Sequence, residues 1–527
     1  MTELVHDCIF LSARRSPQAE ALAYGRQRLS YAELGEQVML AGGALLASGL
    51  DKADRVAVYL EKRIEAVAAM FGASWAGGVF VPVNPLLKPE QVAYIAKDCN
   101  VRILVTSPER YKSLAPQLAG CPDLRCVILT GPVNGLEAPE GVRLASWETL
   151  ASPGPDTPTR HRAIDADMAA ILYTSGSTGK PKGVVLSHRN IVAGAHSVAS
   201  YLHNQPSDRI LSVLPLSFDY GFSQLTTAFH VGAAVVLMNY LFPRDIVKAV
   251  VEERITGLAA VPPLWMQLVQ QEWPETARLR YLTNSGGAMP GATLDALRKI
   301  FPDGQVYLMY GLTEAFRSSY LPPAELERRP DSIGRAIPNA ELLVVRQDGS
   351  PCRPGETGEL VHRGALVAMG YWNDPAKTAE RFRPVPHQDS ALPLTEIAVW
   401  SGDLVRTDAE GYLYFVGRND DMIKVSGYRI SPTEVEEVMH ATGLAAEVAA
   451  LGVPHPQWGQ AVVAVALPKE GVAFDRDAML AACKQHLPAY MVPAHIEVAG
   501  AALPRNPNGK IDRKALQANL SHLFEGA

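Results

Sequence analysis

The chain has 527 residues, too many for one ordinary hydrophobic core, so two or more domains are expected. Apolar residues make up 47% and charged residues 20%, which excludes wholesale disorder. Lys and Arg number 49 against 55 Asp and Glu, a formal charge of −6 that argues against a general nucleic-acid coat. The best apolar run, Met39 to Leu50, is broken by glycines and falls short of the ~18–20 residues that span a bilayer, so no membrane span is expected. Glu3, His6 and Asp7 stand where a secretory signal would carry a basic and then an apolar stretch. Six cysteines (Cys8, Cys99, Cys121, Cys126, Cys352, Cys483) lack paired spacing, and no His or Cys cluster completes a metal site. A reduced, cytoplasmic, soluble protein is the plain expectation.

From Arg55 to about Pro290, short β-rich runs alternate with helical stretches. Arg55 to Leu60 reads as a strand, Ile64 to Trp75 as a helix stopped by Gly77-Gly78, and Val79 to Val83 as the next strand. The cycle recurs at Ile210 to Leu214, Ala233 to Met238 and Gly257 to Val261, which predicts α/β layers with largely parallel sheets. Past Pro338 the texture changes to short strands at Leu342–Arg346, Gly358–His362 and Gly411–Val416, a small β-subdomain over about 338–418. The polar cluster Gly417 to Asp421 is the best candidate for a domain joint. It would divide a large N-terminal domain, 1–418, from a small mobile C-terminal α+β domain, 419–527.

The strongest chemical signal is Tyr173-Thr-Ser-Gly-Ser-Thr-Gly-Lys-Pro-Lys-Gly183, following the apolar run Met168 to Leu172. Its glycines allow close backbone approach, and its amides and hydroxyls can nest polyphosphate oxygens, with Lys180 and Lys182 adding charge. It is not a Walker loop: two residues separate Gly176 from Gly179, and Pro181 follows Lys180. That spacing also argues against a kinase or P-loop ATPase.

Four further motifs follow in order: Tyr310-Gly-Leu-Thr-Glu314, Ser401-Gly-Asp403, Gly417 to Arg429, and Asn508-Gly-Lys-Ile-Asp-Arg513. Together with weaker matches at Tyr31–Leu34 and Gly77–Pro85, they make the chain resemble the adenylate-forming superfamily along nearly its whole length. That superfamily comprises acyl-CoA synthetases, non-ribosomal peptide adenylation domains and luciferases.

The resemblance implies a two-step reaction. A carboxylate attacks the α-phosphate of Mg-ATP to give an acyl-adenylate and pyrophosphate, and a thiol then displaces AMP. Two anions must be brought together, which calls for cations and oriented dipoles at the developing charge. By resemblance Thr174, Ser175, Gly176, Ser177, Thr178, Gly179 and Lys182 would hold the β- and γ-phosphates, Thr174 with a catalytic part. Glu314 would ligate Mg²⁺, with Thr313 beside the phosphates. Tyr310 would offer a ring face to adenine, and Gly287, Ala288, Met309 and Gly311 would complete the ATP site. Asp403 would accept from the ribose hydroxyls and Arg418 would contact the nucleotide. Lys510 would be the adenylation lysine; without its companion motifs it would read as a solvated turn residue. Asp420 matches the joint about which the small domain rotates, though the residues alone fit an Asx turn equally. Rotation would exchange Lys510 for Ser426-Gly427-Tyr428, which face the thiol channel.

Phe218-Asp219 looks like the signature of amino-acid-activating domains, where the carboxylate meets the substrate's α-ammonium, while Gly221 departs from that pattern. An Asp at a strand-to-helix junction is also a natural N-cap. By the same alignment Phe218, Asp219, Tyr220, Ser223, Ala260, Thr283, Ser285, Met309, Arg317 and Ser318 line the acid pocket. Small and hydroxylated members, with Tyr220 and Met309 limiting depth, favour a compact carboxylic acid, by preference an amino acid, over a long fatty-acyl chain. Arg317 stands as either a partner for a second acidic group of the substrate or an internal partner for Asp219; in the second case the amino-acid assignment fails. The chain ends shortly after Lys510, so the thiol is expected in trans. It would come from a separate phosphopantetheinyl carrier protein, or from coenzyme A if the acid is not an amino acid.

Overall fold

The computed structural model describes residues 3–149, 159–174, 180–388, 391, 393–418, 422–505 and 511–525. The alternating segment builds two α/β sheets. In the first, Arg55–Tyr59, Val79–Pro82, Val101–Thr106 and Met168–Thr174 run parallel, and Lys182–Ser187 returns antiparallel beside Met168–Thr174. In the second, Arg209–Ser212, Ala234–Leu237, Gly257–Ala260, Tyr281–Asn284 and Gln305–Tyr310 form the parallel core. These strands are buried on both faces, which explains their continuous apolar runs.

Ala41–Leu46 and Leu50 of the Met39–Leu50 run pack inside the protein, while Met39 is exposed. Most of the run belongs to helix Tyr31–Ala47, which starts on a capping box between Ser30 and Glu33. That helix crosses Ile64–Ala76 closely: a Cβ on Gly42 would sit 2.9 Å from Gly72 O, and one on Gly72 2.8 Å from Ala41 Cβ. The glycines that break the apolar run are therefore what lets the two helices touch. No helix among the described residues is long and apolar enough to cross a membrane.

The short strands expected past Pro338 pair antiparallel with one another and continue the second sheet. Ser332–Ala336 pairs with Leu413–Arg418, and this joins Ile397–Thr407, Thr357–Gly364 and Ala340–Val345 to the second α/β sheet as one 14-stranded surface. Pairing in that sheet switches from parallel to antiparallel between Gln305–Tyr310 and Ser319–Leu321, and past Pro338 it stays antiparallel.

Beyond it a five-stranded sheet holds Ile423–Val425, Tyr428–Ile430, Ala445–His455, Gly459–Pro468 and His495–Val498. Helices Pro432–Ala441 and Arg476–His486 cover it around Val435, Met439, Met479 and Cys483. The expected boundary and the joint at Asp420 fall on residues 419–421, outside the described residues.

Candidate active site

Parallel α/β sheets gather ligands at the carboxyl ends of their strands. Here those ends supply Thr174, the Ser217–Tyr220 turn, Val261, Asn284 to Ala288, and Tyr310 to Glu314. All of them line one cavity of about 620 Å³. The small C-terminal unit closes it with Lys424, Gly427, Tyr428, Arg429, Glu434, Tyr490 and Met491.

On one side, Thr174 ends its strand directly opposite Lys182. The Lys182 ammonium lies over the Tyr371 ring, 5.4 Å from its centre, and Tyr371 donates its hydroxyl to Glu314 Oε1 at 2.7 Å. Burial, with Lys377 nearby, lowers the Lys182 pKa. The register thus brings the expected phosphate-binding ends and the expected magnesium ligand to one place. Ser175 to Gly179, between those ends, lie outside the described residues, as does Lys510.

Across the cavity, the Tyr310 hydroxyl donates to Asp403 Oδ2. Asp403 takes its place through its own N–H, which donates to Ser401 Oγ at 3.1 Å, while that hydroxyl donates to Leu360 O at 2.6 Å. The backbone of Arg418 pairs opposite Asp403. Gly287 and Ala288 face the cavity, where Asn284 Nδ2 donates to Gly287 O at 3.1 Å.

The acid side departs from the sequence expectation in two ways. First, Arg317 is the internal partner of Asp219: Nη1 donates to Oδ2 at 3.5 Å, Nη2 donates to Ser223 Oγ at 2.9 Å, and the guanidinium stacks on Tyr220 at 4.6 Å. Burial pushes the Asp219 carboxyl up and Arg317 holds it down. Asp219 therefore already has its cation, and the argument for a substrate ammonium fails on its own condition. Asp219 is also the first residue of helix Asp219–Val231, whose N-cap position is Phe218 rather than Asp219.

Second, Ser223, Ala260, Thr283 and Ser318 do not reach the cavity wall. Tyr220 stands in front, its hydroxyl 2.6 Å from Thr283 Oγ1, while Ser223 is spent on Arg317. Alignment finds which positions cluster, but the rotamer of one large ring decides which are exposed. Phe218, Asp219, Tyr220, Ser285, Met309 and Arg317 do line the space.

Ser426 and Gly427 form the two-residue turn of a hairpin in which Val425 pairs with Tyr428, both turn residues having positive φ (48° and 85°). Such a turn matches the twist of its strands. Its tip enters the large body: a Cβ on Gly427 would lie 2.8 Å from Val261 Cγ1, and the Tyr428 ring meets Phe218 edge-on at 5.1 Å. Lys424 Nζ donates to Gly286 O at 3.3 Å. Gly427 and Tyr428 line the cavity and Ser426 does not.

Sequence reasoning missed Asn84, Gln91 and Ile95, and also Asp331, Glu434 and Tyr490, all of which line the cavity. Asn84 falls inside the Gly77–Pro85 match and Glu434 just after the Gly417–Arg429 motif, but neither was singled out, while Gln91, Ile95, Asp331 and Tyr490 lie between the motifs.

A family profile described as AMP-binding enzyme matches residues 9–372, and one described as AMP-binding enzyme C-terminal domain matches residues 434–510. The chain belongs to the AMP-binding enzyme family. It is 31% identical over 536 residues to the L-proline–[L-prolyl-carrier protein] ligase of Pseudomonas fluorescens, covering 98% of this chain and 99% of that one. It also matches a linear gramicidin synthase polypeptide of Brevibacillus parabrevis, 30% identical over 517 residues, which takes in 97% of this chain but only 10% of the synthase. Among solved structures, a double mutant of the o-succinylbenzoate CoA synthetase of Bacillus subtilis, bound with its product analogue, superposes with TM-score 0.82 at 25% identity, covering 97% and 98% of the two chains. The same synthetase in complex with its acyl-adenylate intermediate superposes with TM-score 0.68 at 26% identity, covering 98% and 99%.

Proposed function

We propose that this AMP-binding enzyme is an AMP-forming acid–thiol ligase acting on a compact carboxylic acid without an α-ammonium. The observation that carries this reading is the single cavity into which both units project. It joins Thr174 and Glu314, Tyr310 with Asp403, the Asp219–Arg317 pair, and the Gly427–Tyr428 turn.

In the first step the carboxylate attacks the α-phosphorus of ATP and pyrophosphate leaves. The Thr174-to-Lys182 segment and Lys510 hold and neutralise the phosphate charge, while Asp403 accepts from the ribose. Magnesium fits a site built this way, because the Glu314 carboxylate, a hard oxygen donor, lines the cavity. Glu314 would share the ion with the phosphates, and bound there it would neutralise their charge. In the second step a phosphopantetheine thiol enters past Gly427 and displaces AMP. The higher similarity to the product-analogue complex than to the acyl-adenylate complex supports the view that the small unit stands here in its thioester-forming posture.

The paired Asp219 supports an acid without an α-ammonium. For an ammonium to take its place, a guanidinium that is only 3% exposed, bonded to Ser223 and stacked on Tyr220, would have to be displaced. Coenzyme A is then the acceptor of choice. A carrier protein is the second reading, favoured by similarity to the prolyl-carrier ligase along nearly the whole of both chains.

The test is a pyrophosphate-exchange screen over aryl acids, short aliphatic acids, hydroxy acids and amino acids. Exchange confined to acids without an ammonium, with AMP and pyrophosphate as products, is the expected result. ADP and phosphate as products, or exchange confined to amino acids, would refute the reading.

A further inference from the structure

Glu434 is a carboxylate with no structural task that explains its placement. Ser431-Pro-Thr-Glu434 spells a capping box for helix Pro432–Ala441, yet no side-chain cap bond forms and the Ser431 hydroxyl has no partner. Instead Glu434 turns toward the large body, where Oε1 accepts from Gln91 Nε2 of helix Pro89–Asp98 at 2.9 Å. Its Oε2 is closed off from solvent and has no hydrogen-bond partner. Glu436, two residues on, shows what a structural carboxylate does here: its Oε1 takes both Ala450 N–H at 2.8 Å and Arg513 Nη2 at 2.7 Å. Leaving a buried carboxylate oxygen idle costs stability, and such arrangements concentrate where chemistry uses them.

Glu434 lines the same cavity as Gly427, Tyr428 and Thr174. A thiol must lose its proton to act as a nucleophile, and free thiols hold it to a pKa of about 8.5. We propose that Glu434 takes the proton from the acceptor thiol in the second half-reaction. This rests on the ligase reading above. The S–H proton passes to the Glu434 carboxylate, and the sulfur electron pair forms the C–S bond to the acyl carbon. The C–O bond to the phosphate breaks, and its electron pair leaves with AMP.

Burial, with Glu437 nearby, raises the Glu434 carboxyl to about 7 against the opposing pull of the Gln91 hydrogen bond, a value suited to a base working near neutrality. The titratable and charged groups around it are Glu437 on its own helix, Tyr94 and Glu90 on the facing helix, Arg429 before it, and Tyr490 and His486 beyond it. The Gln91 bond crosses between the two units, so the base is assembled only when the small unit stands as it does here.

The test uses the full chain carrying the acyl-adenylate of whichever acid exchanges fastest, with coenzyme A as the probe thiol. Single-turnover rates are followed between about pH 5.5 and 9. The wild-type rate is expected to climb through an apparent pKa near 7, and Glu434→Gln to lose that limb and about 10²–10⁴-fold in rate. Gln91→Ala keeps the carboxylate but removes a bond that favours its charged form. Its limb should move to higher pH while most of the rate returns under alkaline conditions. A Glu434→Gln enzyme with the wild-type rate and profile would overturn the proposal, as would a Gln91→Ala enzyme equally impaired at every pH. Pyrophosphate exchange separates the two failures. An enzyme that exchanges with no acid refutes the ligase reading, whereas normal exchange without Glu434 dependence refutes only the proton assignment.

Discussion

Gly427→Ala is the sharpest perturbation the structure offers, because its two costs fall on different states. At φ +85° an alanine pays roughly 1–2 kcal/mol for left-handed backbone wherever the small unit stands. The added methyl would also lie 2.8 Å from Val261 Cγ1 and 3.2 Å from Cβ and Cγ2, but only while the turn is seated in the large body. Overpacking of this kind costs about 1–3 kcal/mol, equivalent to ~5–150-fold in the population or rate that needs the seated turn. Thioester formation from preformed acyl-adenylate should fall by that factor, while pyrophosphate exchange should change little. Val261→Ala removes both Cγ atoms, so the Gly427→Ala, Val261→Ala double variant should recover most of the lost rate. The reasoning is refuted if Gly427→Ala slows both half-reactions alike, or if trimming Val261 restores nothing in the double-mutant cycle.

Lys510→Ala should suppress adenylation by ~10²–10³ while a supplied acyl-adenylate still reacts with thiol; equal loss in both assays would contradict that division of labour. Arg317→Met leaves the Asp219 carboxylate buried without its cation and should destabilise the fold by about 3 kcal/mol, with Asp219→Asn in the same chain restoring most of it. The sign with pH follows from the raised Asp219 pKa: in Arg317→Met the folded state holds the proton more tightly than the unfolded chain, so the deficit should shrink from pH 7 to pH 5 in thermal melts. A deficit that does not vary with pH would argue against the pair. His362 is buried with neither ring nitrogen partnered, and burial lowers its pKa to about 4 against nearby Asp403, which raises it. Its contribution is intact above the unfolded value near 6.5 and is lost as pH falls toward 4. His362→Leu should therefore gain about 2 kcal/mol at pH 5 relative to its effect at pH 7.5, and equal effects at both would count against the burial argument.

Much of the protein was legible in one dimension because its signals are local. Continuous apolar runs between glycine and charged turns announced parallel strands, since a strand covered on both faces has no polar side to show. The phosphate-loop ends and Tyr310 to Glu314 sit at strand ends, where backbone direction alone brings them to one rim, whereas Asp403 lies within Ile397–Thr407. How the strands past Pro338 join the second sheet was not legible for the complementary reason: Ser332 and Tyr414 share a ladder across some eighty residues of chain, and composition carries no trace of that pairing.

The acid pocket was least legible, because a side chain's role there depends on which neighbour reaches it first. Asp219 looked available until Arg317, ninety-eight residues away, was found beside it. Thr283 looked like pocket wall until the Tyr220 hydroxyl was found in front of it. Nothing around Glu434 in the chain told that its carboxylate would meet Gln91, 343 residues away. Local sequence determined the family, the parallel α/β character of the core and many of the residues at its rim. Only tertiary packing decided where charge is already cancelled and where it is left waiting, because Coulomb and hydrogen-bond energies depend on separations of a few ångströms that chain spacing does not encode.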